Sequence, residues 1–235
     1  MRFLKFLLGI ALLPLCWAAS TTLYQLVEQI YRSSTGSWPL SVWGLLIGFA
    51  LWLILFFSLP RPMVTYVFAH ELTHALWAWI MGARVSRLKV SARGGSVTLD
   101  KTNFVIALAP YFFPLYTILV IIGFYALALF FDLHTYEPFW LGLIGLTWCF
   151  HLTFTIRTLL QHQPDIHQHG RVFSYSIIYL ANVLGVALWI VLIASPSLQT
   201  LAQVLGRETV DAYLACRDAG LMIWEKVGTA LQAVC

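Results

Sequence analysis

"FAHELTHALW", Phe68 to Trp77, sets two histidines and a glutamate inside an apolar run. His70 and His74 stand four residues apart, so on a helix both imidazoles share one face, one turn apart. Two imidazoles at that spacing supply neighbouring ligands to a tetrahedral metal ion. Glu71 then lies beside the ion and not on it, where a carboxylate serves as general base toward the attacking water. In a chain with seven histidines among 235 residues, shuffling yields this HExxH pattern on the order of 0.004 times, so chance is a poor account of it. Ionisable groups that persist inside an apolar segment usually serve a function.

The surroundings say which solvent the motif sits in. The chain is 60% hydrophobic and 10% charged, where a soluble domain is about a quarter charged. Too few polar residues remain to cover a soluble surface, so lipid must solvate much of the molecule. Six apolar runs approach the ~20 residues a spanning helix needs: 3–19, 39–59, 63–81, 104–131, 139–160 and 172–194. The expected fold is therefore an all-α polytopic membrane protein of about six transmembrane helices. A small β-hairpin follows the HExxH helix, because valine-rich runs flank Gly94-Gly95. Residues 1–62 read as a signal or anchor helix plus an accessory span, 63–195 as the core bearing the motif, and 196–235 as an amphipathic helical segment. The first run, beside Arg2 and Lys5, fits an anchor and a cleaved signal equally. "PRP", residues 60–62, ends the second span, and Pro110 and Pro114 should bend the fourth.

Charge orients and excludes. Five of the fourteen basic residues lie between Arg84 and Lys101, while the turn with Asp132 and Glu137 has none. The positive-inside rule then makes the hairpin cytoplasmic, with the loop after the fifth span on the same side. Arg2 and Lys5 pull the other way if the first helix is retained. A net charge of +4, scattered along the chain, does not suggest nucleic acid. The four cysteines form no CxxC pair. Cys16 and Cys149 read as small hydrophobes. Cys216 and Cys235 can pair only in an oxidising compartment.

A spanning helix with "HELTH", an adjacent hairpin and a later acidic residue together resemble the site-2 protease family of intramembrane zinc metalloproteases. The resemblance covers about residues 63–194. It implies Zn²⁺ as cofactor and Glu71 as catalytic base. The implied substrate is a transmembrane protein or peptide, such as an anti-sigma factor or signal-peptide remnant, cleaved in the lipid bilayer. The implied location is multi-pass in a bacterial inner membrane. The family's third ligand is an aspartate in a Leu-Asp-Gly context. Its nearest match here is Asp165 in "QPDIHQHG", whose flanks differ. His151, His167 and His169 stay open as rivals, since any imidazole or carboxylate can complete such a site. The hairpin, with Gly94 and Gly95, is expected to hold substrate extended by main-chain hydrogen bonds.

Other polar residues carry two readings each. Asn103 either binds substrate or caps a helix. Tyr111 either stabilises a tetrahedral intermediate or sits at the membrane interface. Asn182 either joins helices or orients substrate, and His151 can also support a metal ligand from behind. His134 and His162 read as hydrated loop residues. The rival to the protease is a non-hydrolytic metal-binding transporter, sensor or scaffold, which would need the two histidines but not Glu71.

Overall fold

The computed structural model describes residues 2–34, 37–193 and 196–232. It is mostly helical, with one two-stranded antiparallel sheet. In chain order the helices are α1 (Arg2–Ala11), α2 (Leu13–Ser33), α3 (Leu40–Ser58) and α4 (Met63–Ile80). Strands β1 (Val85–Ser91) and β2 (Gly94–Leu99) follow. Then come α5 (Phe104–Phe112), α6 (Leu115–Ala128), a 3₁₀ turn (His134–Tyr136), α7 (Glu137–Leu159), α8 (Pro164–His169), α9 (Arg171–Ile193) and α10 (Leu198–Gln232).

Among the described residues, three runs are long and apolar enough to cross a membrane: Arg2–Ser33, His134–Leu159 and Arg171–Leu192. The α5–α6 pair makes a fourth if it counts as one span, but it bends by 72° at its break. The apolar stretch of α3, Val42–Ser58, is shorter. The 18-residue α4 is not among the three, and the polar residues of its motif lower its hydropathy. The stretch between the first two apolar runs is helical for most of its length: α2 continues to Ser33.

The chain forms two compact units, residues 1–36 with 170–235, and residues 37–169. These cut across the sequence segments, since α3 joins the motif-bearing unit and α9 does not. In the first unit α1 lies close on α9. Ser176 donates to the Gly9 carbonyl (3.1 Å), and a Cβ on Gly9 would stand 2.6 Å from the Phe173 nitrogen. Leu26 packs against Ala187 and Val191. Gln25 donates to Glu208 of α10 (2.8 Å), which with the Thr21 hydroxyl holds that carboxyl below its ordinary range. Asn182 donates to the Ile178 carbonyl of its own helix (2.8 Å). The distal part of α10 leaves Leu221, Ile223 and Trp224 exposed. Cys16 is buried and free; Cys216 is exposed and free, and its possible partner Cys235 lies outside the described residues.

The second unit holds the motif. Its most extensive helix contact joins α3 and α7. A Cβ on Gly44, Gly48 or Gly145 would overlap the carbonyl oxygens of Pro138, Gly142 and Leu45, respectively. Small residues at such a seam let two backbones meet. Further along, Phe49 meets Trp148, Trp52 donates to Thr153 (2.9 Å), and Phe56 meets Phe154. Numbers rise together on both helices, so α3 and α7 run parallel. In contrast, α6 runs antiparallel to α7: Thr117 bonds Thr147, and Phe124 stacks on Trp140. Helix α4 meets α7 through Tyr66, which stacks on Phe154 at 4.6 Å and bonds to Thr158.

The end of α4 is set by Gly82. Its φ of +72° is a left-handed conformation that suits glycine. Ala83 N–H donates to Ala78 O (2.8 Å) and Gly82 N–H to Trp79 O (3.0 Å), the paired bonds of a Schellman cap. The chain thus turns directly into β1. The hairpin pairs Leu88 with Val97 and Val90 with Gly95. Its turn is Ala92-Arg93, two residues before the expected Gly94-Gly95, which instead open β2. Ser91 Oγ bridges the turn by donating to Gly94 O (2.7 Å). At the open end the Arg84 N–H donates to Asp100 (2.8 Å) and holds its carboxyl below the ordinary range.

Candidate metal centre

His70 and His74 project from the same face of α4, as their spacing requires. Asp165 reaches them from α8, the short helix after α7. His70 Nε2 lies 3.9 Å and His74 Nε2 3.6 Å from Asp165 Oδ2. Ligand-type atoms of the three residues all fall within 4.8 Å of one another, so the group can hold a metal ion. Bonds of 2.0–2.1 Å in a tetrahedron set ligand atoms roughly 3.3 Å apart. The two spacings to Asp165 exceed that by a few tenths of an ångström. Two neutral imidazoles, one carboxylate and an open fourth position are the donor set of a catalytic zinc site. Burial works against the charge on the Asp165 carboxyl. The His70 and His74 imidazoles outweigh it and hold that carboxyl well below the usual carboxylate range.

Each of the three is fixed from behind, as ligands of metal sites generally are. Tyr111 is fully buried and donates from its hydroxyl to Asp165 Oδ2 (3.0 Å). It also packs edge-on against His70 at 5.2 Å. The interfacial reading of Tyr111 is therefore replaced by one at the site. Tyr66 stands between His70 Nδ1 (3.3 Å) and Thr158 Oγ1 (2.6 Å). With Nε2 kept for a metal, His70 Nδ1 carries the proton and donates to Tyr66.

The partner of His74 follows from a proline. His74 Nδ1 lies 2.8 Å from the Ile106 carbonyl oxygen. In a regular helix that oxygen would accept the N–H of residue 110. Residue 110 is Pro110, which has no N–H. The proline thus leaves a buried carbonyl free to take the His74 proton and turn Nε2 toward the metal position. Pro110→Ala restores the competing N–H. It is expected to weaken zinc binding by about 10- to 100-fold, the usual cost of losing an outer partner. Competition with a calibrated chelator measures this.

The remaining candidates fall elsewhere. Asn103 caps α5, its Oδ1 accepting the Ile106 N–H (3.0 Å), so the cap reading applies. His151, on α7, lines a small cavity that His70 also borders; it is outside the three-residue group. His167 stacks on His162 at 4.1 Å, and His169 is buried at the end of α8; neither belongs to the group. Glu71 is 8% exposed and sits beside the ligands under β2. Sequence reasoning missed Tyr66, Thr158 and the Ile106 carbonyl; Pro110 was read only as a bend. Comparison with models of known protein families, with curated proteins and with solved structures finds no match.

Proposed function

We propose that this chain is an intramembrane zinc endopeptidase of the site-2 protease kind. The observation that carries the reading is the convergence of His70, His74 and Asp165 with Glu71 beside them. A bound Zn²⁺ supplies Lewis acidity toward a water and a peptide carbonyl. His70, His74 and Asp165 would hold it, with their outer partners fixing ring and carboxylate orientation. Glu71 accepts a proton from the attacking water and returns it to the leaving amine. Tyr111, whose hydroxyl already points at Asp165 Oδ2, keeps that carboxylate turned toward the histidines. The apolar surface of the chain supports a multi-pass enzyme acting on membrane-spanning proteins or peptides. Its assignment to a bacterial inner membrane rests on the family resemblance.

The edges of the hairpin strands can hold a substrate segment extended, since a helical peptide bond is shielded from attack. The test is zinc analysis of protein extracted in mild detergent, with cleavage of a membrane-spanning peptide read in parallel. The expected result is about one zinc per chain, cleavage abolished by chelator and restored by zinc. Zinc without cleavage would favour a transporter or sensor; no metal under gentle extraction would remove the site itself.

A further inference from the structure

His70, His74 and Asp165 are each held by a hydrogen bond, but Glu71 is not: no described residue bonds its carboxylate. What stands against it is the backbone of β2. A Cβ built on Gly95 would lie 2.5 Å from Glu71 Cγ, 2.9 Å from Glu71 Oε1 and 2.8 Å from Val67 Cγ1. Real Cβ atoms do not approach so closely, so any other residue here would force Glu71, Val67 or the strand to shift. Gly94, one residue earlier, differs in kind: nothing lies within 4 Å of the Cβ it lacks. The strand is seated there by its pairing of Gly95 with Val90, which packs on the core cluster containing Val67.

We propose that Gly95 is a positioning residue, through which β2 forms a wall that keeps the Glu71 side chain beside the metal group. The hairpin then has two surfaces with separate duties. Its edges are open to a peptide, while its inner face at Gly95 is closed against the base. The role rests on the protease reading only in naming Glu71 the base; the contact itself does not. Any peptide that shifts β2 as it docks also shifts the wall, so docking and base position are mechanically joined.

The test compares Gly95→Ala in the natural chain and in a Glu71→Ala/Val67→Ala background that vacates the space. Hydrogen exchange of the β2 amides is read in detergent, without substrate. In the natural background Gly95→Ala should lower protection by about tenfold or more, as overpacking does. In the vacated background it should change protection little. Zinc content should be unchanged in Gly95→Ala. Its kcat should fall roughly 10²-fold, the cost of misplacing a reacting group by about 1 Å, with KM little altered. Equal loss of protection in both backgrounds would overturn the wall. A raised KM at constant kcat would overturn it too, and make Gly95 a substrate contact. A chain that shows the exchange coupling yet cleaves nothing keeps the wall and loses the protease reading.

Discussion

Glu71→Gln is expected to leave zinc bound and to lower cleavage by about 10²- to 10⁴-fold, the usual contribution of a positioned proton acceptor. The substitution keeps the shape of the side chain. It therefore keeps the packing under Gly95 and the seat of the hairpin. The amide cannot take a proton from water or return one to an amine. His70, His74 and Asp165 are untouched, so metal content should match the natural chain. Zinc per chain and turnover of a membrane-spanning peptide are the two measurements. Cleavage at the natural rate would remove Glu71 from the chemistry. Loss of zinc would mean that Glu71 is a ligand and that the three-residue group is incomplete.

The second large effect concerns the residue on which the sequence was least decisive. Asp165→Ala is expected to lower zinc affinity by more than the 10- to 100-fold that an outer partner costs. It removes one of three donors and also the hydrogen bond that the buried Tyr111 makes to Asp165 Oδ2. A hydrogen bond to a charged group is worth about 1.5–3 kcal/mol, so some loss of stability should accompany the loss of metal. His151→Ala, His167→Ala and His169→Ala should each retain more zinc, since none lies in the ligand group. Zinc competition across the four variants gives the order directly. If any histidine variant loses more zinc than Asp165→Ala, the ligand assignment is wrong.

What the sequence made legible were the features written locally. The i, i+4 histidines lie on one helix face because helical geometry alone dictates it. The hairpin was visible from valines flanking small residues, yet its turn fell at Ala92-Arg93. Gly94 and Gly95 look like turn residues. Here the register spends them on the strand, because Gly95 must pass over Glu71 and Val67. Asn103 had the spacing of a cap and is one. The outer partners were not legible, since Tyr66 with Thr158 and Tyr111 with Asp165 join residues 92 and 54 positions apart. The extent of α2 was hidden for another reason. Its polar residues, Glu28 and Arg32 among them, read as a connection, but the helix runs on and its Gln25 docks α10. Tyr111 misled because tyrosine is common at interfaces, and only packing reveals that it is buried.

The parallel course of α3 and α7 has a consequence of parity. Two helices that traverse a bilayer in the same direction must be separated by an odd number of traversals. Helix α4, if it crosses, supplies one. On that count the bent pair α5–α6, with its 72° break, would be a re-entrant loop and not a span. Simple alternation of spans places the ends of the basic hairpin and the end of α7 in the same aqueous compartment. On that count they fall in opposite ones. On that count the segment that carries Asp165 would approach the histidines from one side of the membrane, and β2 would be anchored at the other.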